Sequence, residues 1–178
     1  MTGERRSDSE ASGQLPPQPE DEQTLVEAVA DELPDGRALD LATGGGRVAH
    51  ALAERGWRVD AIDLSRSALE RARERGDRRS AAISWILADA DSYCFPESAY
   101  DVVAIRFFDA RDRLPAIEAA LTPGGALVYE HHLQSGAGGN PYRFEPGELR
   151  SACGNLRVQY YAEDRELSRV WLVAFADG

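Results

Sequence analysis

The chain has 178 residues and carries 31 acidic against 20 basic side chains, a formal net charge of -11 at pH 7. An acidic field repels phosphate backbones and anionic lipid surfaces, so neither nucleic acid nor a membrane is expected as a partner. No apolar run reaches the ~20 residues of a membrane span, and the N-terminus shows no hydrophobic signal core. The sequence therefore predicts a cytoplasmic protein, and its length fits one domain with a substantial core.

The basic residues are unusual, because all 20 are arginine and the chain contains no lysine. One hypothesis is a GC-rich genome that favours arginine codons. The other is a halophilic-type acidic surface that stays hydrated in a salt-rich cytoplasm, where screening weakens its self-repulsion. We favour the second hypothesis, which predicts that the folded protein loses stability on dialysis from molar to low salt.

The two cysteines, Cys94 and Cys153, lie far apart in the chain and form no C-x-x-C motif. This spacing indicates neither a disulfide framework nor a zinc site. We therefore expect two reduced thiols and no bound metal.

The first 19 residues are polar and rich in proline, glycine and serine, with little apolar surface to offset the entropy of ordering them. We expect residues 1–19 to form a disordered leader and residues 20–178 to form a single domain. Apolar residues at helical spacing predict an amphipathic helix over 20–33, at the start of that domain.

Strand and helix patterns alternate through most of the domain, which favours parallel strands joined by right-handed crossovers. The last two strand patterns are joined by a short polar segment, so they predict a hairpin. The fold class expected is α/β, a doubly wound, mostly parallel seven-stranded sheet of Rossmann-like type that ends in an antiparallel hairpin. The predicted strands are 37–42, 58–63, 83–87, 101–107, 126–130, 156–161 and 168–175, and the predicted helices within the sheet are 46–55, 66–76 and 114–121.

Ligands of an open parallel sheet bind at the carboxyl ends of the strands, so the residues that follow each strand are the candidates for a site. Small residues after the first strand allow backbone amides to approach a ligand closely. The candidates in strand order are Ala42, Thr43, Gly44 and Gly46, then Asp63, then Asp89 and Ala90, then Arg106, and finally His131 and His132.

The segment GGGRVA at 44–49 fits G-x-G-x-x-A, the pattern of dinucleotide-binding loops. A dinucleotide would make the protein an NAD(P)-dependent oxidoreductase. Asp40, however, lies inside the apolar run just before the glycines, and Asp63 follows the next strand. These carboxylates would repel a pyrophosphate, whereas they suit a cofactor that carries positive charge.

The segment LDLATGGGR at 39–47 resembles the first motif of class I S-adenosylmethionine-dependent methyltransferases, L-D-x-G-C-G-x-G, with Ala42 and Thr43 in place of the usual Gly and Cys. The segments ADA at 88–90, YDVV at 100–103 and LTPGG at 121–125 follow in the family's order and spacing. The loop NPYRFEPGEL at 140–149 is similar to that of small tellurite-resistance-like methyltransferases. The resemblance covers about residues 25–175.

This resemblance implies a single methyltransferase domain with S-adenosylmethionine as the cofactor. Gly44 and Gly46 would lie under its amino-acid portion and ribose, and Asp63 would accept hydrogen bonds from the ribose hydroxyls. Asp40 would receive loop amides or, through water, the cofactor's ammonium group. The other implied contacts are Leu64 on the adenine, Asp89 and the Ala90 amide at the adenine edge, and Ala42 and Thr43 in the loop. Arg106 is a further candidate, which could contact the cofactor, steer an anionic acceptor or pair with a loop carboxylate.

The expected reaction is in-line transfer of the methyl group to a small-molecule acceptor, in which the protein mainly aligns and desolvates the reactants. No catalytic residue is identified from the sequence, and His131 and His132 are the candidates for a general base. Because side chains alternate along a strand, at most one of the two is expected to face the acceptor.

Four aromatic residues are candidates for the walls of an acceptor pocket, namely Phe107, Phe108, Tyr142 and Phe144, and the glycine-rich segment 134–140 is a candidate lid. Two other functions stay open from the sequence. One is a module that binds S-adenosylmethionine without catalysis, and the other is the dinucleotide-dependent oxidoreductase.

Overall fold

A computed structural model describes residues 23–76, 82–134, 136 and 139–178. Seven strands form one sheet in the order β3-β2-β1-β4-β5-β7-β6. The strands are β1 (Arg37–Leu41), β2 (Arg58–Asp63), β3 (Ile83–Leu87), β4 (Tyr100–Arg106), β5 (Leu121–His132), β6 (Arg157–Asp164) and β7 (Arg169–Phe175). The helices are α1 (Leu25–Val29), α2 (Arg47–Glu54), α3 (Arg66–Arg75), α4 (Leu114–Ala120) and α5 (Glu148–Ala152). The predicted leader at 1–19 lies outside the described residues.

The strands β1 to β5 pair in parallel, and β7 runs antiparallel between β5 and β6. The predicted doubly wound sheet with a closing hairpin is therefore confirmed. The chain builds outward from β1 to β3 and then crosses back, so that β4 pairs with the other side of β1. This reversal places the carboxyl ends of β1 and β4 side by side, the usual position of a ligand in such sheets.

Apolar side chains cover both faces of the sheet, because successive strand residues point to opposite sides. On β4, Val102 belongs to the core under α1 and α2, and Val103 belongs to the core under α4 and α5. Two packed layers hold the strand ends in fixed positions, so the loops that follow them are presented by a rigid frame. None of the helices in the described part of the chain is long and apolar enough to cross a membrane.

Local capping explains where two of the helices begin. Thr24 caps α1 by accepting from the Glu27 amide at 3.2 Å, while the Glu27 carboxylate accepts from the Thr24 amide at 2.7 Å. Ser65 caps α3 by accepting from the Ala68 amide at 3.2 Å, which agrees with the start of the helix predicted at 66–76. The first predicted helix is shorter than expected, since α1 begins only after Thr24.

The structure corrects two further elements. The LTPGG segment was expected to precede the fifth strand, but β5 already begins at Leu121, which pairs with Tyr100 before the register shifts. The loop at 140–149 contains the start of α5, which spans only Glu148–Ala152 and is too short to give a periodic sequence pattern.

Candidate functional site

The glycine-rich loop after β1 is held by backbone hydrogen bonds and leaves open space above it. The Thr43 amide donates to the Ile62 carbonyl at 2.9 Å, and the Gly46 amide donates to the Thr43 carbonyl at 2.9 Å. Gly44 has a φ of +56°, and no atom lies within 4 Å of the position that a Cβ would occupy. The loop therefore presents bare backbone to a ligand at the start of α2.

Ala42 occupies the position at which the resembling motif has glycine. Its φ is +58°, in the left-handed region that costs an L-residue about 1–2 kcal/mol. The chain thus keeps the backbone shape of the motif without its glycine, and the loop after β1 carries local strain.

Asp63, at the end of β2, bridges the glycine-rich loop to α3. Its Oδ2 accepts from the Gly44 amide at 2.7 Å, and its Oδ1 accepts from the Ser65 amide at 2.8 Å. A carboxylate has about four acceptor positions, so two stay available for hydroxyl donors. Beside it, Leu64 is 73% exposed and Leu87, at the end of β3, is 45% exposed.

Leu87 was not identified from the sequence as a site residue. It pairs in register with Asp63 across β2 and β3, which places it at the same edge of the sheet as Leu64. An apolar side chain at the carboxyl end of a strand is the signal that marks it. Together Leu64 and Leu87 form an apolar surface of the kind that a flat heteroaromatic ring covers.

Asp40 is buried within the base of the loop, with 2% of its surface exposed. Its Oδ2 accepts from the Thr43 hydroxyl at 2.5 Å and from the Ala49 amide at 3.0 Å. Burial raises the pKa of Asp40 to about 7, the two hydrogen bonds oppose that rise, and the charge of Asp63 adds to it. Asp40 is therefore a carboxyl whose charge is only partly compensated, and a nearby cation would favour its ionised form.

The loop after β3 turns on itself. Asp89 is exposed, and its Oδ1 accepts from the Asp91 amide at 3.0 Å, while Ala90 is buried behind it. Asp89 therefore stabilises its own loop in a local turn and keeps a second oxygen for a ligand.

Arg106 is paired within the sheet and does not stand free at the loops. Its Nε lies 2.9 Å from Oε2 of Glu130, and Arg169 reaches Oε1 of the same carboxylate at 2.6 Å. Glu130 is buried, so the two guanidinium groups share one buried anion. The sequence left open whether Arg106 contacts the cofactor, steers an acceptor or pairs with a carboxylate, and in this structure it pairs with a carboxylate. Spacing along the sequence could not identify this pairing, because the three residues lie on β4, β5 and β7.

A cleft of about 650 Å³ opens next to these loops, at the carboxyl ends of β4 and β5. We call it the acceptor cleft. Tyr129 holds the loop after β4, which forms part of the cleft. Its hydroxyl donates to the Phe108 carbonyl at 2.7 Å and accepts from the Ala110 amide at 2.8 Å. The acceptor cleft is lined by Asp91, Phe107, Phe108, Asp109, Asp112, Arg113, His131, His132 and Tyr142.

Two sequence expectations about this cleft are wrong. Both His131 and His132 line it at the end of β5, although alternation along a strand predicted at most one, and His131 is much the more buried of the two. Phe144 was expected in the wall but is fully buried, and its ring packs edge-on against those of His131 and Tyr129 at 5.2 and 5.6 Å. The expected wall positions of Phe107, Phe108 and Tyr142 agree with the structure.

His131 is 3% exposed and is one of the residues that line the cleft. Its Nδ1 lies 3.3 Å from the His132 carbonyl, so the proton is assigned to Nδ1 and the lone pair to Nε2. Within the described residues, Nε2 has no hydrogen-bond partner. Burial lowers the pKa of His131, which keeps the imidazole neutral and able to accept a proton at pH 7.

His132 lies in a layered stack. Its ring is parallel to that of Phe107 at 4.6 Å, and the guanidinium groups of Arg106 and Arg169 lie 4.5 and 4.4 Å from the Phe107 centroid. Burial lowers the pKa of His132, and the charges of Arg143 and Arg169 lower it further. The stack holds the His132 ring in place and neutral.

Arg111 is a further residue that the sequence did not single out. It pairs with Asp109 and with Glu148 at 3.0 Å each, and it donates to the Arg143 carbonyl at 3.0 Å. Its guanidinium also lies 4.6 Å from the Phe144 ring. Arg111 thus ties the loop after β4 to the segment that carries Tyr142.

Part of the predicted lid at 134–140 cannot be placed, because residues 135, 137 and 138 lie outside the described residues. Within the ranges that are described, no group of three or more His, Cys, Asp or Glu side chains is arranged to hold a metal ion.

The residues at the loop ends fit an adenosine cofactor with positive charge. Gly44 leaves room that a Cβ would fill, and Asp63 offers free acceptor positions beside it. The partly uncompensated carboxyl of Asp40 lies at the base of the same loop, where it accepts from the Thr43 hydroxyl and the Ala49 amide. This combination of open backbone and carboxylates disfavours a pyrophosphate and suits an ammonium and a sulfonium.

Comparisons with known proteins agree with this fit. A methyltransferase domain family matches residues 38–125. Demethylmenaquinone methyltransferase of Thermus thermophilus is 37% identical over 99 residues, covering 52% of this chain and 45% of that protein. Cypemycin N-terminal methyltransferase of a Streptomyces species is 34% identical over 154 residues, covering 80% of this chain and 56% of that protein. The chain thus spans about half the length of these curated relatives.

Among solved structures, TehB from Haemophilus influenzae shares the fold, with a TM-score of 0.74 at 16% identity over 85% of this chain and 61% of that chain. The predicted resemblance and cofactor are confirmed, and the family match decides for S-adenosylmethionine where the glycine pattern alone also allowed a dinucleotide. The chain belongs to the class I S-adenosylmethionine-dependent methyltransferases.

Proposed function

We propose that the chain transfers a methyl group from S-adenosylmethionine to a small molecule bound in the acceptor cleft. The observation that carries this proposal is the unpartnered Nε2 of the buried, neutral His131, which borders a cleft next to the cofactor loops. A module that only binds the cofactor has no use for such a group at that position.

In this proposal, Gly44 and Gly46 carry the amino-acid portion and ribose, and Asp63 accepts from the ribose hydroxyls. Leu64 and Leu87 cover the adenine, whose edge is bound by the loop after β3. When bound, S-adenosylmethionine supplies a methyl group made electrophilic by the sulfonium. Arg106 acts indirectly, through its ion pair with Glu130 and its contact with Phe107.

The residues of the acceptor cleft align the acceptor and keep water away from the reacting atoms. His131 accepts the proton that an acceptor loses when its lone pair forms the new bond. Phe108 and Tyr142 provide an apolar wall for a flat ring or a short side chain. The two curated relatives are named for different acceptors, demethylmenaquinone and the N-terminus of cypemycin, so the cleft itself must decide the acceptor of this chain.

Two measurements test the proposal. Titration calorimetry should detect binding of S-adenosylmethionine and S-adenosylhomocysteine and no binding of NADH. Incubation with methyl-labelled cofactor and a set of small thiols, phenols and amines should then label at least one acceptor. Cofactor binding without label transfer to any of them would favour the binding module over the enzyme.

Asp63→Ala is expected to weaken S-adenosylhomocysteine binding by about 1–3 kcal/mol, because it removes the proposed ribose acceptor. Calorimetry on the folded variant measures this loss. Asp101→Ala is a matched control. The Asp101 carboxylate also accepts from a backbone amide, that of Arg37 at 2.8 Å, but it lies near the amino end of β4, whereas Asp63 lies at the carboxyl end of β2. Equal affinities for Asp63→Ala and the unmodified protein would contradict the assigned role.

Binding of S-adenosylmethionine is expected to weaken by about tenfold or more between pH 7.5 and 5.5. The pKa of Asp40 is about 7 in the free protein, so acid removes the charge that complements the cofactor's ammonium group. The raised pKa also affects stability, because the folded protein holds the Asp40 proton more tightly than the unfolded chain does. The contribution of this proton to the free energy of unfolding is complete below the ordinary pKa of 3.8 and is lost as pH rises through 7.

The variant Asp40→Asn separates this effect from histidine titration. Its cofactor affinity should change little over the same pH interval, as measured by calorimetry. A variant that keeps the full pH dependence would assign the effect to another group.

A further inference from the structure

The acceptor cleft carries an excess of carboxylates. Asp91, Asp109 and Asp112 line it, and Arg113 is the basic residue in its lining. Arg113 is turned to other partners, because its Nη2 donates to the Tyr93 carbonyl at 2.5 Å and its guanidinium lies 5.3 Å from the Phe95 ring. Among the side chains that line the cleft, carboxylates therefore outnumber guanidinium groups by three to one.

Two of these carboxylates are free to act on a ligand. Asp109 is paired with Arg111 at 3.0 Å. Asp91 and Asp112 have no ion pair or side-chain hydrogen bond in the part of the chain that the structure describes.

The arginines next to the lining have partners of their own. Arg106 and Arg169, which contact the Phe107 ring, share the buried carboxylate of Glu130. Arg143, whose charge acts on His132, donates to the Leu133 carbonyl at 3.0 Å.

Aromatic groups and a neutral base complete the surroundings. The rings of Phe108 and Tyr142 border the same space, and aromatic faces attract cations. Both faces of Phe107 are already occupied, by His132 and by the guanidinium groups. His131, one of the lining residues, is buried and its Nε2 is unpartnered within the described residues.

We infer that the acceptor is an amine, which enters the cleft as its ammonium ion and leaves as a methylated ammonium. The inference rests on the proposed function, and it adds the class of the acceptor. Asp91 and Asp112 attract the cation electrostatically, and the aromatic wall receives the attached carbon skeleton. An anionic acceptor is disfavoured by the same carboxylates.

The reaction balances in two steps. The ammonium first gives a proton to Nε2 of His131, which leaves a neutral amine with a lone pair. That lone pair then forms the nitrogen–carbon bond to the methyl group while the carbon–sulfur bond breaks, and its electron pair stays on sulfur as a thioether. The new secondary ammonium carries the positive charge that the sulfonium has lost, and His131 passes its proton to solvent.

Three probes that share a phenol ring and differ in the charge of the side chain test the inference. Tyramine is a cation, tyrosol is neutral and 4-hydroxyphenylacetate is an anion. Their binding to the protein saturated with S-adenosylhomocysteine is measured by calorimetry. Tyramine should bind most tightly and 4-hydroxyphenylacetate most weakly, with about a tenfold difference between these two ends of the series. With S-adenosylmethionine, the label on tyramine should be found on nitrogen by mass spectrometry.

The double variant Asp91→Asn with Asp112→Asn should weaken tyramine binding by about fivefold to twentyfold and leave tyrosol binding unchanged. Both side chains are exposed, so the substitutions leave the core intact. Asp35→Asn is the matched control, since Asp35 is exposed in the turn before β1, at the opposite end of the sheet. Equal binding of all three probes, or label on the phenol oxygen of tyramine, would overturn the inference and leave the methyltransferase proposal standing. Absence of label on any acceptor, with the cofactor bound, would overturn the proposed function itself.

Discussion

Replacing His131 with Asn is expected to lower kcat for methyl transfer by about 100-fold or more, the usual contribution of a positioned general base. Asn keeps a donor near the position of Nδ1, which now lies 3.3 Å from the His132 carbonyl, and it removes Nε2. The affinity for S-adenosylhomocysteine should not change, because His131 lines the acceptor cleft and is not among the residues assigned to the cofactor. Steady-state kinetics with any acceptor that the protein labels measures the loss.

His132→Asn is the control that distinguishes loss of a general base from loss of a residue that lines the cleft. His132 borders the same cleft, but its ring is stacked on Phe107 at 4.6 Å. We expect its replacement to raise KM for the acceptor more than it lowers kcat, since the stack positions the wall of the cleft. Equal losses of kcat for the two variants would remove the special role of His131, and an unchanged kcat for His131→Asn would show that no base is needed.

Gly46→Ala is expected to lower the free energy of unfolding by about 2–4 kcal/mol, which combines a left-handed backbone with overpacking. Gly46 has a φ of +77°, and a Cβ there would lie 2.8 Å from Cβ of Ala72 and 2.8 Å from Cη2 of Trp85. These atoms belong to α3 and β3, so neither moves away without disturbing the packing around α2. Chemical denaturation measures the change.

Gly44→Ala is expected to affect cofactor binding more than stability, in contrast to Gly46→Ala. Its φ is +56°, but the space around the added methyl group is empty, so the loss of stability should be about 1–2 kcal/mol. The methyl group would occupy the room assigned to the cofactor, and affinity for S-adenosylhomocysteine should fall by at least about tenfold, or 1.4 kcal/mol. If Gly44→Ala bound the cofactor normally, the cofactor could not lie on this loop as proposed.

The elements that the sequence predicts well are those controlled by local signals. The strand at Arg58–Asp63 is predicted with its observed bounds because an apolar alternation ends at a charged residue. The helix predicted at 66–76 is observed at Arg66–Arg75, with Ser65 as its cap. The shared edge of the candidate residues follows from the parallel order of the strands, which the alternating pattern already indicates.

The features that the sequence missed depend on contacts between distant segments. The sequence left the partner of Arg106 open, and Glu130, which lies opposite it on β5, pairs with it. His131 and His132 both reach the cleft, because the geometry of a strand end is set by the loops around it. Phe144 was expected in the wall of the cleft because it is aromatic. In the structure its ring packs against Tyr129 and is buried in the core.

Some expectations from the sequence stay predictions. The cytoplasmic location and the halophilic-type surface rest on composition alone, and the leader at 1–19 lies outside the described residues. The individual cofactor contacts of Asp40, Asp63 and Asp89 rest on the fit of their side chains to the ligand.

A crystal structure with S-adenosylhomocysteine bound is the measurement that tests the central claim most directly. We predict that the nucleoside lies between Gly44, Asp63 and Leu64, and that the sulfur faces the acceptor cleft on the side of His131. A ligand that binds elsewhere on the protein, or one whose sulfur points away from His131, would contradict the account.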